Sequence, residues 1–331
     1  MSKIPLKGVN LGGWLVVERW ITPSLFRELD ARNEFELSRT EEGRKRLQRH
    51  HREYISEKDL TWLKGRGVEL LRVPIGYWIF GQDARYVGAI DRLDWLMSTS
   101  LSLGLRVLLD LHAAPGAQNG TAHSGSGNVV RNKHSIKWLN DVSAQEETIA
   151  VLVRLAERYR DAPSLWGIEL LNEPAVDPLG LKLARFYRRA YRAVTKVAKP
   201  GIHIIFSDGY APLRLTNCLW LMTKPDFPAV MDCHVYQVFG KRNKARTFAQ
   251  HLRRAVWTGR FLRFLGWQQP LIIGEWSAML PIPTDDEATR RYVGVQQKAF
   301  DGHLAQFYWN YKTESPGRWN YRDQAAKELI Q

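Results

Sequence analysis

Cysteine is nearly absent from this chain of 331 residues, which contains only Cys218 and Cys233. Two cysteines are too few for a disulfide framework, and they are not spaced like metal ligands. The sequence also lacks any uninterrupted apolar run approaching the roughly 18 residues that a membrane span needs. These absences exclude a disulfide-stabilised small domain and leave a globular class, with 44% hydrophobic residues available for a core.

The first residues lack the apolar centre of a signal peptide, because residues 1–7 pass almost directly into the first predicted strand. We therefore expect a cytoplasmic protein, or a secreted or periplasmic one if a leader has been removed. The scarcity of cysteine favours the first of these, because cytosolic proteins rarely contain disulfides.

Acidic residues are outnumbered, since 34 Asp and Glu accompany 48 Lys and Arg and give a formal net charge of +14. Such a balance indicates attraction to anionic surfaces or polymers. The segment 241–267 has no acidic residue and eight basic ones, which are Lys241, Arg242, Lys244, Arg246, Arg253, Arg254, Arg260 and Arg263. Apolar residues recur in it at near-helical spacing, which predicts an outer helix with a solvated basic side.

This basic side could contact an anionic surface through residues 241–263. The surface would be either a membrane or a phosphate-rich partner. The sequence shows no fold signature of nucleic-acid recognition, so no nucleic acid is expected as a partner.

Strand and helix patterns alternate along the whole chain. The predicted strands are approximately 7–13, 69–76, 106–112, 165–174, 203–209, 229–236, 270–276 and 305–311. The main helical patterns are 56–67, 90–104, 144–160, 181–198, 247–265 and 286–300. Eight such repeats without a linker or a shift in composition predict an α/β fold, a single (β/α)8 TIM barrel that occupies 1–331 as one domain.

Two of these strands deliver a glutamate at their carboxyl end. The fourth ends in Asn172-Glu173 and is stopped by Pro174, which has no N–H to donate, and the seventh ends near Glu275. Barrel enzymes place their chemistry at the carboxyl ends of the strands. Two carboxylates there, in a chain whose thirteen tryptophans can stack on sugar rings, are what cleavage of a glycosidic bond needs. Glu173 and Glu275 are therefore the predicted catalytic residues.

Further polar residues lie in or at the ends of other strands. Arg72 interrupts an apolar strand and needs a carboxylate partner, for which Glu275 is a natural candidate. His112 ends the third strand, before a loop rich in Gly, Ser and Asn that extends to about residue 133. His234 and Tyr236 share one face of the sixth strand, so a tyrosine hydroxyl can reach the nucleophile while a histidine lies near the acid. Neither histidine has metal-ligand neighbours at convincing spacing, and no metal is predicted.

The remaining candidates are predicted to bind substrate. Asn119 belongs to the loop after the third strand, Tyr210 follows the fifth, and Trp309 ends the eighth as a candidate floor for the sugar. Glu18 beside Trp20 would pair a hydroxyl acceptor with a stacking face, although an exposed turn with an incidental charge explains these two residues equally well.

Motifs at the predicted strand ends resemble those of glycoside hydrolase family five, and within it the exo-β-1,3-glucanase subfamily known from fungi. The resemblance extends from about residue 7 to about residue 320, with the motifs in the same order along the chain. They are 8–26, 72–78, 110–120, Asn172-Glu173-Pro174, 234–239, Gly274-Glu275-Trp276 and 309–314.

The resemblance implies a retaining hydrolase that acts by double displacement on a β-glucan oligosaccharide or a β-glucoside, without a cofactor. Glu275 would be the nucleophile, and Glu173 would be the general acid/base with a raised pKa in the free enzyme. Glu18 matches a glutamate that binds the terminal glucose. The other matches around the cleaved sugar are Arg72, His112, Asn172, His234, Tyr236 and Trp309.

The sequence departs from the subfamily pattern near the acceptor sugar. After residues 118–120 the subfamily usually has an aromatic residue and then Asp-Asn, whereas this chain reads Thr121-Ala122-His123. Trp20 stands where a tyrosine is common. These differences put a preference for β-1,3 chains in doubt. The alternatives to a β-glucosidase or exo-β-1,3-glucanase are a transglycosylase, a glycolipid β-glucosidase with the same site, and a non-catalytic carbohydrate-binding barrel.

Overall fold

The structure is a computed structural model that describes residues 4–125, 136–215 and 224–330. Cys218 and the part of the predicted third-strand loop from residue 126 onwards lie outside the described residues. Cys233 is buried and has a free thiol.

Eight parallel strands close into a barrel, in which each strand pairs with the next along the chain and the last pairs with the first. They are β1 (Leu6–Asn10), β2 (Leu70–Gly76), β3 (Arg106–Ala113), β4 (Leu165–Glu169), β5 (His203–Ser207), β6 (Ala229–Val235), β7 (Leu271–Trp276) and β8 (Ala305–Tyr308). All eight overlap the predicted strands. The TIM barrel expected from the sequence is confirmed.

Helices connect the strands and form the outer layer. In the described residues they are α1 (Glu34–Leu37), α2 (Glu41–Glu53), α3 (Glu57–Gly65), α4 (Ile90–Ser102), α5 (Val142–Arg158), α6 (Leu181–Val197), α7 (Lys241–Lys244), α8 (Phe248–Gly266), α9 (Asp286–Ala299) and α10 (Tyr321–Ala326). The six predicted helices correspond to α3, α4, α5, α6, α8 and α9. Within this described part of the chain, no helix is long and apolar enough to cross a membrane.

Capping residues set where the outer helices begin. Ser56 and Asp59 form a reciprocal capping box at the start of α3, and Thr247 and Gln250 form another at the start of α8. Each box satisfies backbone N–H groups that have no partner inside the helix. The helical layer is thus specified locally by the sequence.

Side chains inside the barrel change from apolar to charged along its axis. Because successive strand residues face opposite sides, Leu70 and Arg72 of β2 share one face, as do Leu108 and Asp110 of β3. Leu70 and Leu108 belong to an apolar cluster with residues of β4 to β8. Arg72 and Asp110 lie one step further along their strands and are fully buried. An apolar floor therefore supports a charged layer, which lies directly beneath the strand ends.

The fourth strand is shorter than predicted. Ladder pairing ends at Glu169, although the Asn172 N–H still donates to the Leu111 carbonyl oxygen at 3.0 Å. Glu173 has a φ of +41°, a left-handed conformation that residues other than glycine rarely adopt. This conformation and the proline that follows it turn the chain out of the sheet, so Glu173 lies at the barrel mouth.

We expect Gly274→Ala to destabilise the barrel by about 1–3 kcal/mol, because the buried site has no room for a methyl group. The added carbon would overlap the carboxyl of Asp232 on the neighbouring strand β6, which also accepts the Gly274 N–H at 2.6 Å. The urea midpoint of unfolding measures the effect. Gly294→Ala in α9 is the matched control, because nothing lies within 4 Å of a methyl group there. Equal midpoints for the two variants would contradict the account.

Candidate active site

A cavity of about 370 Å³ opens at the carboxyl ends of the barrel strands, within the size range of small-ligand sites. Nine of the twelve predicted site residues line it: Glu18, Trp20, His112, Asn172, Glu173, Tyr210, Tyr236, Glu275 and Trp309. Of the other three, Arg72 and His234 lie beneath these residues, and Asn119 lies behind one wall. The sequence analysis therefore located most of the cavity.

Glu173 is held by hydrogen bonds from three directions. Its backbone N–H donates to Ser207 Oγ at 3.2 Å, which fixes the left-handed turn. The Tyr210 hydroxyl donates to Oε1 of the carboxylate, and His234 Nδ1 lies 2.6 Å from the same oxygen. The predicted proximity of a histidine to the acid is confirmed. Strained backbone that is held in this way is typical of catalytic positions.

Glu275 lies opposite Glu173, at the end of β7. The Tyr236 hydroxyl donates to Glu275 Oε2 at 2.8 Å, and Arg72 Nη1 donates to Oε1 at 3.1 Å. Both contacts were predicted from the sequence and are confirmed. One oxygen of Glu275 and one of Glu173 lie within 4.8 Å of each other.

Arg72 connects Glu275, at the barrel mouth, to the charged layer beneath it. Its Nε donates to Glu169 Oε2 at 2.8 Å and its Nη2 lies 3.1 Å from Asp110 Oδ2. The guanidinium also donates to the amide oxygens of Asn10 and Asn172, both at 2.9 Å. Every N–H direction of a fully buried guanidinium is therefore engaged, as burial of a charge requires.

Trp309 forms one wall of the cavity. Its indole lies nearly parallel to the His112 ring, with centroids 5.7 Å apart and planes 10° apart. A side chain at Gly12 would lie 2.8 Å from the Trp309 ring, so glycine is needed there for the indole to pack against the backbone. A flat apolar face beside two carboxylates is suited to stacking on a pyranose ring.

Glu18 and Trp20 form a polar and aromatic pair in the same cavity. Trp20 Nε1 donates to Glu18 Oε2 at 2.8 Å, and the indole contacts the Trp319 ring edge-to-face with centroids 5.5 Å apart. Burial raises the pKa of Glu18 to about 7, against the opposing charge of His123 and the Trp20 hydrogen bond. Of the two interpretations that the sequence left open, the structure supports a place in the site.

Asn119 does not line the cavity but positions a residue that does. Its Nδ2 donates to His123 Nε2 at 2.8 Å, and its Oδ1 accepts the Thr121 N–H at 3.1 Å. His123 Nε2 also lies 3.5 Å from Glu173 Oε2. The departure from the subfamily motif therefore puts Thr121 in the position of the usual aromatic residue and brings an imidazole, two residues later, close to the predicted acid.

Comparison with protein families agrees with this geometry. Residues 32–315 match the family model described as Cellulase (glycosyl hydrolase family 5). The chain belongs to glycosyl hydrolase family 5. It is therefore a glycoside hydrolase with a carbohydrate substrate.

Individual family 5 relatives cover almost the whole chain. A probable glucan 1,3-beta-glucosidase A from Neosartorya fischeri is 31% identical over 377 residues, which cover 98% of this chain and 87% of the relative. A glucan 1,3-beta-glucosidase from Blumeria graminis is 28% identical over 376 residues, with coverage of 98% and 86%. The solved rutinosidase from Aspergillus niger has a TM-score of 0.81 at 19% identity, with coverage of 99% and 98%, which shows a shared fold.

The electrostatics of this family 5 site favour a proton on His234 rather than on Glu173. Burial alone would raise the pKa of Glu173, but the hydrogen bond and charge of His234, with the charge of His123, hold it well below its usual range. The raised pKa that the sequence suggested for Glu173 is therefore wrong for the free site. Despite burial, the charges of Glu275 and Asp232 raise the pKa of His234 well above its usual value. Proton transfer across the 2.6 Å contact would produce the neutral Glu173 acid without exchange with solvent.

Several functional residues were not identified from the sequence. His123 was noted only as a departure from the subfamily motif, and Phe239 and Trp319 also line the cavity. In the layer below, Asn10, Asp110, Glu169 and Asp232 surround Arg72 and His234. The sequence did contain a signal for the three carboxylates among these residues. A carboxylate inside an apolar strand needs a partner of opposite charge, just as an arginine does.

Two groups of described side chains have the ligand types and spacing that could hold a metal ion. They are Glu169, Asp232 and His234, and Glu173, His234 and Glu275. In the first group the Arg72 guanidinium pairs with Glu169 and already provides the positive charge that a metal ion would bring. In the second group His234 Nδ1 is hydrogen bonded directly to Glu173 Oε1. The sequence argument against a metal was wrong in one respect, because each of the two histidines contacts a carboxylate two residues earlier in the chain. His112 lies 2.7 Å from Asp110, and His234 lies 3.3 Å from Asp232. The expectation that no metal is used stays a prediction.

We expect His234→Asn to move the acid limb of kcat/KM to higher pH by about 1–3 units, the effect of one nearby charge. Burial raises the pKa of Glu275, and the charge of His234 opposes that rise. The predicted nucleophile Glu275 would have to be ionised to attack, so activity should be lost as the pH falls through its pKa, and removal of the imidazolium raises that pKa further. The pH profile on an aryl β-glucoside measures the shift. His203→Asn, at the opposite end of the barrel, is the control, and identical profiles for His234→Asn and wild type would refute the assignment.

Proposed function

We propose that the protein is a retaining β-glucosidase or exo-β-1,3-glucanase, with Glu275 as the nucleophile and Glu173 as the general acid/base. The observation that carries this proposal is the approach of one oxygen of each carboxylate to within 4.8 Å. Retaining glycosidases place the two groups about 5–5.5 Å apart, whereas inverting enzymes leave about 6.5–9.5 Å for a water molecule. The observed separation supports direct attack by the enzyme.

In the first step, a Glu275 oxygen bonds to the anomeric carbon while the bond from that carbon to the leaving oxygen breaks. The leaving oxygen takes the proton from Glu173, which draws on the proton shared with His234. Arg72 and Tyr236 favour the ionised form of Glu275 before attack through their hydrogen bonds to its two oxygens. This step leaves a glycosyl ester on Glu275.

In the second step, Glu173 acts as a base. Once Glu275 is an ester, no negative charge lies beside Glu173, and the adjacent imidazole favours the carboxylate form of Glu173. Glu173 then removes a proton from water, whose oxygen attacks the anomeric carbon and releases Glu275. Two inversions retain the β configuration. Asn172, whose side-chain oxygen is fixed by Arg72, is placed to hold the 2-hydroxyl, where hydrogen bonds strengthen in the transition state.

Two features support β-1,3-glucosides as substrates. The relatives that cover the chain are named glucan 1,3-beta-glucosidases. Glu18, which the family resemblance assigns to the terminal glucose, lies in the same cavity as both catalytic candidates. Thr121 stands in place of the aromatic clamp on the acceptor side, which supports activity on short glucosides with little gain from longer chains.

The substrate test compares laminari-, cello- and gentio-oligosaccharides, an aryl β-glucoside and a β-glucosylated lipid, with the anomer followed by proton NMR. We expect glucose alone as the product from laminaritriose, with β-glucose first. Products longer than the substrate would indicate the transglycosylase, preference for a glucosylated lipid would indicate the glycolipid enzyme, and binding without turnover would indicate the non-catalytic barrel. The α-anomer as first product would refute retention.

The roles of the two glutamates are distinguished by azide, which can replace water or a carboxylate as nucleophile. We expect Glu173→Ala to lose about 10²–10⁴-fold in turnover of laminari-oligosaccharides and to form β-glucosyl azide when azide is added. Glu275→Ala should form α-glucosyl azide, because azide then attacks directly with one inversion. Glu69→Gln, at the opposite end of the barrel, is the control. Exchange of the two azide products would reverse the assignment.

A further inference from the structure

The outward face of α8 exposes large aromatic side chains. Arg253, Trp257, Arg260, Phe264 and Trp267 follow one another at intervals of four and three residues, which places them in one stripe along the helix. The side chain fractions left exposed are 50% for Trp257, 51% for Phe264 and 91% for Trp267. Stripes of this kind on a protein surface mark interaction sites.

These aromatic residues are not needed by the barrel core. The opposite side of α8 is buried through His251, Ala255, Gly259, Leu262 and Leu265. Gly259 packs so closely on α9 that a side chain there would lie 2.8 Å from Ala299. The helix therefore has one face that is fully packed and another that lacks a partner in the described chain.

The exposed stripe is strongly basic. Arg253, Arg254, Arg260 and Arg263 lie on or beside it, and the Arg254 guanidinium lies 4.3 Å from the Trp257 ring centroid. Among the described residues, no carboxylate lies within ion-pair distance of these four arginines. The sequence has no acidic residue from 241 to 267. This charge therefore faces outward without compensation from the protein.

We propose that α8 binds the surface of an anionic lipid bilayer. The stripe is about 21 Å long, at 1.5 Å per residue over the fourteen steps from residue 253 to residue 267, and can lie along a flat surface. Tryptophan and phenylalanine enter the region between headgroups and acyl chains, while arginines bind the phosphates beside them. A second copy of the chain is disfavoured as the occupant, because it would bring two faces of the same charge together.

Helix α6 is an internal control. It exposes Arg185, Arg188 and Arg192 on its outer side, but no large aromatic side chain. A protein attracted to anionic surfaces only by its net charge would use both helices alike. A bilayer that takes up aromatic side chains would bind α8 and not α6.

The experiment is co-sedimentation of the whole protein with phosphatidylcholine vesicles, with and without phosphatidylglycerol. We expect at least about tenfold more binding to the anionic vesicles, and a decline with added salt. The triple variant Trp257→Ser, Phe264→Ser, Trp267→Ser should lose this binding, as should Arg253→Ser, Arg260→Ser, Arg263→Ser. The variant Arg185→Ser, Arg188→Ser, Arg192→Ser should retain it. Hydrolysis of an aryl β-glucoside and circular dichroism verify that each variant is folded.

A soluble polyanion, dextran sulfate, distinguishes a lipid surface from an anionic polymer. The aromatic variant should bind dextran sulfate like wild type while it loses the vesicles. Three results would each overturn the proposal: no vesicle binding by wild type, retention of vesicle binding by the aromatic variant, or an equal loss in the α6 variant. The outcome does not depend on the substrate of the enzyme.

Discussion

The buried guanidinium of Arg72 is the interaction on which the rest of the site depends. From β2 it contacts side chains of β1, β3, β4, β6 and β7 and the residue that precedes Glu173, so one cation connects six of the eight strands. Burial would lower its pKa, but the surrounding carboxylates raise it, and the charge is permanent. Loss of one partner would leave buried charges unpaired, which is far more costly than loss of a surface ion pair. The same contacts thus hold the barrel mouth together and orient Glu275 directly and Glu173 through Asn172, the two proposed catalytic carboxylates.

Much of this arrangement could be predicted because it depends on local pattern. Apolar runs that end in Glu173 and Glu275 predicted both the strands and the positions of the two acids. Alternation along a strand placed His234 and Tyr236 on one face, and both reach the carboxylates. The helical patterns predicted the starts of six helices to within two positions. These features require only neighbouring residues in sequence, and barrel closure brings the strand ends together.

The features that were missed depend on partners from distant parts of the chain. Glu169 contacts Arg72 across 97 sequence positions, and a glutamate in an apolar strand does not reveal which charge it will meet. The pKa of Glu173 was predicted in the wrong direction although His234 was expected nearby, because the sequence does not show that the charges of Glu275 and Asp232 favour the protonated form of that imidazole. The left-handed conformation of Glu173 after β4 was also missed, because the side chain that its N–H contacts, Ser207, comes from another strand.

The central claim is that Glu275 forms a covalent bond with the sugar, and trapping that bond tests it most directly. A 2-fluoro-β-glucosyl fluoride slows both chemical steps, since the fluorine destabilises the cationic transition state and removes the 2-hydroxyl contact, while its good leaving group permits the first step. Peptide mass spectrometry of the inactivated enzyme should find one fluorosugar on Glu275. A label on Glu173 or on another residue, or continued turnover of an aryl β-glucoside by Glu275→Gln, would contradict the account.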